Sequence, residues 1–228
     1  MSLPHNRCRA KLRWLCFLLA VCLFSVSVSA EKESAKVYHC HENDEMKIAL
    51  TFDDGPHPRL TPKILDILKE YNIKATFFIV GENALNYPDL VTRILQEGHE
   101  IGNHTHSHDA ISRAEIEACE KVIYELTEYK TKLFRPPQGF INERVKADSS
   151  ALGYDIILWN IDTRDWDHAS PQRICNQVTT NLCAGSIILM HDYIGYNSPT
   201  PEALSLMIPR ILEKGYRFVV VSELIGSK

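Results

Sequence analysis

The chain has 228 residues, a length that suits one large domain, and carries 25 Lys and Arg against 29 Asp and Glu. Four of the basic residues and none of the acidic ones lie in residues 1–30, so beyond that segment 21 positive groups face 29 negative ones, a net charge of −8 with His neutral. That balance argues against nucleic acid or an anionic membrane as partner, since both select basic surfaces.

In chain order, residues 1–30 read as a secretory signal peptide. Arg7, Arg9, Lys11 and Arg13 form a basic start, residues 14–28 an apolar run, and Val28-Ser29-Ala30 a small-residue site before Glu31. The run is short for a membrane span of about 20 residues, so a secreted, periplasmic or cell-surface protein without a stable membrane span is expected. Cys8, Cys16 and Cys22 belong to this leader; Cys40, Cys119, Cys175 and Cys183 do not. Four cysteines permit two disulfides in an exported protein. A local Cys175–Cys183 bridge is the favoured pair, with buried free thiols as the alternative. There is no CxxC pair, which disfavours a cysteine zinc site.

Residues 31–46 are expected to form an exposed lead-in to a domain over 47–228. Residues 46–52 read as a buried strand that Gly55-Pro56 ends. A helix follows, with Thr61 as N-cap and Pro62 at its first position, running towards Asn72. Further strands are expected over 75–80 (stopped by Gly81), 100–103, 132–135 (closed by Pro136-Pro137), 154–161, 186–190 and 216–221. Between them lie helices over 88–97, 112–129 and 142–152, one opening at Ser170-Pro171, and one over 201–213 that Pro209 is expected to kink or break. Seven strand-like runs separated mainly by helices indicate an α/β fold with a mostly parallel sheet, open or closed into a barrel. No repeat or linker divides it, so a single domain is expected.

The conspicuous polar residues fall where strands end: Asp53 and Asp54, His104 to His108, Arg135, Asp162 and Asp165, and His191. In parallel α/β proteins that rim is where active sites are built. Two adjacent carboxylates repel, so a cation, an arginine or a shared proton must compensate. An Asx turn would need only one of them. His104, His106 and His108 alternate; two imidazoles and one carboxylate make a three-ligand metal site with open positions. A solvated His-rich turn is the plain alternative.

Five motifs then occur in order: Thr51-Phe52-Asp53-Asp54-Gly55, His104-Thr105-x-x-His108, Arg135-Pro136-Pro137-x-Gly139, Asp162-x-x-Asp165-Trp166 and Leu189-x-His191. Together they resemble the motifs of the polysaccharide deacetylases, the NodB-like carbohydrate esterases of family 4, in a match that spans residues 47 to about 224, nearly all of the chain beyond the leader. The resemblance implies a distorted (β/α) barrel of about seven parallel strands and metal-dependent removal of acetyl groups from a sugar polymer. By residue, Asp54, His104 and His108 resemble the metal ligands, Asp53 the general base, and Arg135 the arginine that keeps that base ionised. Asp165 resembles the carboxylate that partners His191 or Arg135, and His191 the general acid. Leu189 and Trp166 resemble the apolar wall of the acetyl pocket, and Gln138 stands where the family contributes a backbone N–H to the oxyanion. His106 departs from the pattern and could compete as a ligand, while His57, His99 and His168 are read as structural or surface residues.

The implied chemistry is attack by metal-activated water, with Asp53 taking its proton and His191 protonating the amine as it leaves. Zn²⁺ is the expected cofactor, with Co²⁺ or another transition metal as alternatives, and the protein is expected to work as a monomer. N-acetylglucosamine polymers such as peptidoglycan or chitin oligosaccharides are the expected substrates, with acetyl-xylan as the alternative. A non-haem Fe(II) oxygenase could use the same ligand triad, and an inactive carbohydrate-binding relative could keep the same fold. No GxSxG elbow is present, which disfavours a serine hydrolase.

Overall fold

The computed structural model describes residues 34–167, 169–193, 195 and 197–226. The leader and His168 therefore lie outside the described residues. In chain order the elements are β1 (Val37–Tyr38), β2 (Lys47–Asp53), α1 (Leu60–Glu70), β3 (Thr76–Ile79), α2 (Gly81–Asn86), α3 (Pro88–Gln96), β4 (Glu100–Asn103) and α4 (Arg113–Thr127). They continue with β5 (Leu133–Phe134), α5 (Glu143–Leu152), β6 (Asp155–Ile157), β7 (Ile161–Asp162), α6 (Pro171–Asn181), β8 (Ile187–His191), α7 (Thr200–Glu213), β9 (Arg217–Val219) and α8 (Val221–Leu224). The strands form one parallel sheet in the order β1-β6-β5-β4-β3-β2-β8-β7, with β9 beside the start of β2.

β2 is the centre of this sheet because six of its seven residues are buried and both of its faces are covered, as parallel strands require. With side chains alternating, Ile48, Leu50 and Phe52 pack outward with α1 (Ile64, Leu65), α3 (Ile94) and α7 (Leu204, Ile208). Ala49 packs inward with Phe78, Leu133, Ile157 and Ile187. Thr51 and Asp53 share Ala49's face, so the last residue of β2 points its carboxylate into the curl of the sheet. The register sets Asp53 opposite Phe78 of β3 on one side and His191 of β8 on the other.

Several expectations are corrected. The run at 154–161 is two strands, not one: β6 and β7 lie towards opposite ends of the strand order, joined by Leu158, Trp159 and Asn160. Asn160 makes the change of partner. Its Oδ1 accepts the Ile187 N–H at 2.9 Å and its Nδ2 donates to Ser186 Oγ at 3.2 Å, and an apolar run carries no sign of that. The described part of the lead-in, 34–46, is largely exposed or half-buried, but Val37–Tyr38 adds an edge strand to β6. Gly81 ends a strand as expected, yet it also opens α2, an element absent from the expectation. The N-cap of α1 is Arg59; Thr61 is inside the helix, fully buried, with its hydroxyl given to Asp192 Oδ2 at 2.6 Å. The final strand stops at Val219 and the chain turns helical as α8.

Pro209 sits inside α7 without ending it. Its cost of about 3 kcal/mol is outweighed by the buried face of Ala203, Leu204, Met207, Ile208 and Ile211. Cys175 and Cys183 do not pair; all four described cysteines are free. Cys175 is buried on α6, whose helix runs on to Asn181, and that rise of roughly 9 Å exceeds the Cα separation a disulfide spans. No described helix is long and apolar enough to cross a membrane.

Candidate active site

The polar residues singled out at the strand ends meet at one end of the curl. Asp53 is 3% exposed, and its Oδ1 accepts a 2.6 Å bond from Arg135 Nη1. Arg135 is fully buried, and each of its three guanidinium nitrogens has a partner. Nη1 also donates to Thr51 Oγ1 at 2.8 Å, Nε to the Ile157 carbonyl at 2.9 Å, and Nη2 to the Leu158 carbonyl at 3.1 Å. Its guanidinium lies 4.0 Å from the centre of the Phe78 ring, a cation–π contact shielded from water. Gly102 makes room for that ring, since a Cβ there would stand 2.3 Å from Phe78 Cδ1. Burial pulls the Arg135 guanidinium below its usual range, and the Asp53 carboxylate opposes that pull. A buried ion pair needs this kind of additional hydrogen bonding to offset its desolvation.

Asp54 turns away from its neighbour. Its backbone is left-handed, φ 75°, and its carbonyl is held by Asn83 Nδ2 at 2.7 Å, so the adjacent carboxylates face different partners. Asp54 Oδ1 lies 3.2 Å from both His104 Nε2 and His108 Nε2. Burial pushes the Asp54 carboxyl up, but the His104 hydrogen bond and the charges of His104, His191 and His108 bring it below the usual value. His104 Nδ1 is 2.7 Å from the Arg135 carbonyl, a contact that puts its proton on Nδ1 and turns the Nε2 lone pair to the site as a ligand atom. One ligand atom from each of Asp54, His104 and His108 falls within 4.8 Å of the others. Two imidazole nitrogens and one carboxylate oxygen, with the tautomer set from behind, fit a divalent transition metal.

His106 stands apart from this triad. Its Nδ1 is buried without a hydrogen-bond partner and would be 2.4 Å from a Cβ at Gly81, while its N–H is taken by Glu115 Oε2. His104→Ala and His108→Ala should therefore lower metal affinity at least 10-fold more than His106→Ala, as measured by titration of metal into the stripped protein. Equal losses would place His106 among the ligands.

Beside Asp53, on the paired strand β8, stands His191. Its Nδ1 lies 2.8 Å from Asp165 Oδ1 and its backbone N–H donates to Asp165 Oδ2 at 2.8 Å. Thr200 Oγ1 donates to the same Oδ2 at 2.7 Å. The sequence left Asp165 between His191 and Arg135; the geometry gives it to His191. Burial would lower the His191 imidazole, yet the Asp165 hydrogen bond and the charges of Asp165, Asp53 and Asp54 raise it to about 9. Because the folded value is raised, the charged imidazole stabilises the fold fully below its ordinary value near 6.5. That contribution is lost as pH climbs through about 9. Asp165→Asn should remove most of it and shift the alkaline limb of any activity to lower pH. An unmoved limb in a pH–rate profile would show that His191 is not the group titrating.

Asp53, Asp54, His108, Gln138, Trp159, Asp162, Trp166, Leu189, His191 and Tyr193 line a cleft of 460 Å³. It thus gathers all three residues expected to meet substrate, with Trp166 and Gln138 exposed and Leu189 buried behind. Of the histidines set aside, His57 is half-buried and takes the Arg59 and Leu60 N–H groups on Nδ1, and His99 is buried. The sequence reading gave no role to Thr51, Trp159, Tyr193 or Thr200. Thr51 had a signal in its motif position; Trp159, Tyr193 and Thr200 had none, because they meet the site only through tertiary structure.

The comparisons agree with this geometry. The family profile described as polysaccharide deacetylase matches residues 41–157, which stops short of Asp165 and His191. A peptidoglycan-N-acetylglucosamine deacetylase of Bacillus cereus is 42% identical over 82% of this chain and 91% of its own. The crystal structure of a peptidoglycan N-acetylglucosamine deacetylase superposes with a TM-score of 0.82 at 38% identity, covering 86% of this chain and 95% of the other. A family 4 acetyl xylan esterase from Clostridium thermocellum, solved with a cobalt ion, superposes at 0.72 with 33% identity over 79% of this chain and 90% of its own. The parallel sheet and its curl match those of solved relatives, and the chain belongs to the polysaccharide deacetylases, metal-dependent hydrolases of acetylated sugars.

Proposed function

We propose that the protein hydrolyses the N-acetyl groups of N-acetylglucosamine polymers, with peptidoglycan as the leading substrate and chitin oligosaccharides as the next. The observation that carries this is the pairing of Asp53 with His191 on adjacent strand ends, flanking the Asp54–His104–His108 triad. It leaves one carboxylate and one imidazole on opposite sides of the place where an acetyl carbonyl would lie. Support for the substrate comes from the 42% identical relative.

A divalent cation held by Asp54, His104 and His108, with Zn²⁺ suited to that donor set, supplies Lewis acidity and lowers the pKa of water. Asp53 commits Oδ1 to Arg135 and keeps Oδ2 towards the triad, 3.8 Å from His104 Nε2. It is the group placed to take the proton of the attacking water. His191 commits Nδ1 to Asp165, so its Nε2 is the atom placed to protonate the amide nitrogen as the C–N bond breaks. An unprotonated amine leaves poorly, and a raised imidazole carries that proton at neutral pH. Trp166 and Leu189 wall the cleft against water beside the acetyl methyl. The leader at 1–30 supports export to the cell surface, where such a polymer is found.

Acetate release tests the reading. Peptidoglycan, chitin oligosaccharides, another N-acetylglucosamine polymer and acetyl-xylan would be compared, each before and after chelation and with Zn²⁺ or Co²⁺ restored. The expected result is release from the N-acetylated polymers that chelation abolishes and metal restores. Release from acetyl-xylan alone would make it an esterase, oxygen consumption with bound iron would make it an oxygenase, and release from none would leave a carbohydrate-binding relative.

A further inference from the structure

The four described cysteines divide into two kinds. Cys119 and Cys175 are buried in the outer core; Cys40 and Cys183 are exposed. The two exposed thiols stand 143 positions apart in sequence, on segments that the fold presses together. Cys40 forms an antiparallel bridge with Ser186, and the His41 N–H donates to the Gly185 carbonyl at 2.9 Å. Opposed residues of an antiparallel bridge project to the same face with Cα atoms about 4.5–5.5 Å apart. Cys183 reaches the same spot from the other side. The Ser186 N–H closes a turn on the Cys183 carbonyl at 3.1 Å, and Cys183 Sγ lies 3.3 Å from Ser186 Oγ. Gly185, with φ 87°, permits that turn to pack against residue 41: a Cβ there would be 2.0 Å from the His41 carbonyl oxygen. Both thiols thus flank one serine side chain.

From this juxtaposition we infer that Cys40 and Cys183 form a disulfide when the protein meets an oxidising environment. The step is thiol–disulfide exchange with a small-molecule or protein disulfide. One cysteine thiolate attacks the oxidant's S–S bond and releases a thiol; the other displaces the second thiol from the mixed disulfide. Two cysteine thiols are oxidised, one external disulfide is reduced to two thiols, and the two cysteine protons end on them. The new S–S bond would tie the segment after the edge strand β1 to the turn that leads into β8, the strand carrying His191. Its closed loop of about 140 residues is long, the case in which a cross-link most restricts the unfolded chain. The inference stands apart from the catalytic reading and survives or fails without it.

The full chain would be equilibrated in oxidised and reduced glutathione, blocked with iodoacetamide, digested without reduction and mapped by mass spectrometry. A peptide pair joined through Cys40 and Cys183, with Cys119 and Cys175 alkylated only after denaturation, is the expected result. Reduction should lower the melting temperature by roughly 5–10 °C. Cys40→Ser and Cys183→Ser should each abolish that response, and the double variant should be no worse than either alone. Cys40 and Cys183 both found alkylated, or each joined to glutathione or another cysteine, overturns the inference; so does a reduction response that persists in Cys40→Ser.

Discussion

Asp53→Asn should retain its metal and still lose roughly 100-fold or more in acetate release, the usual scale of general base catalysis. The substitution keeps size and shape, and its carboxamide oxygen can still meet Arg135 Nη1, but the amide cannot take a proton from water. Added metal should not rescue it. Asp54→Asn should fail differently: its Oδ1 is the one carboxylate oxygen 3.2 Å from both His104 and His108, so affinity for the metal should fall and excess metal should restore part of the rate. Metal content and acetate release for both purified variants decide the matter. Asp53→Asn without metal beside Asp54→Asn with metal would reverse the two roles, and full activity in both would remove the stretch from the mechanism.

Arg135→Met should cost more than activity. It deletes a fully buried cation that holds Asp53, Thr51 and the Ile157 and Leu158 carbonyls, and leaves the Asp53 charge buried without its partner. Breaking a buried pair from one side costs about 3–5 kcal/mol, a large share of a domain's stability, and turnover should fall with it. Arg135→Lys would keep the charge but not the planar fork that reaches four acceptors at once. Urea unfolding midpoints and acetate release on the surviving folded fraction test both parts. Wild-type turnover in Arg135→Met would exclude the residue from the chemistry, and an unchanged midpoint would exclude it from the fold.

Much of this was legible in the sequence because it is local. An apolar run closed by Asp53-Asp54-Gly55-Pro56 marks a strand end with two carboxylates, and Gly153 or the Ser112 and Asn142 caps mark helix ends by chemistry confined to one turn. The five motifs gathered as expected at the rim, since parallel strands deliver their last residues to one side. What escaped depends on neighbours remote in sequence. The partner of Asp165 is settled by Thr200 and by the β8 register, the split at 158–160 by Asn160 reaching β8, and the survival of Pro209 by what α7 buries. The failed Cys175–Cys183 pairing is a case of sequence proximity misread as spatial proximity, because a helix spends that interval extending along its axis.

The three residues between β6 and β7 have a mechanical consequence. Ile157 and Ile161 are four Cα steps, no more than about 14 Å, apart, although their strands belong to distant places in the sheet order. The sheet is thus brought round on itself by a short tether instead of a ladder. The tether is itself held at this seam: the Leu158 N–H donates to the Tyr38 carbonyl at 2.7 Å, the Asn160 N–H to the Ile187 carbonyl at 3.2 Å, and Arg135 donates to the Ile157 and Leu158 carbonyls. Trp159 lies on that seam and in the cleft wall, while Asp53 and His191 lie on the continuously paired β2–β8 floor. The seam beside Trp159 is therefore pinned from β1, from β8 and by the Arg135 guanidinium, next to a β2–β8 pair whose unbroken register keeps Asp53 and His191 side by side.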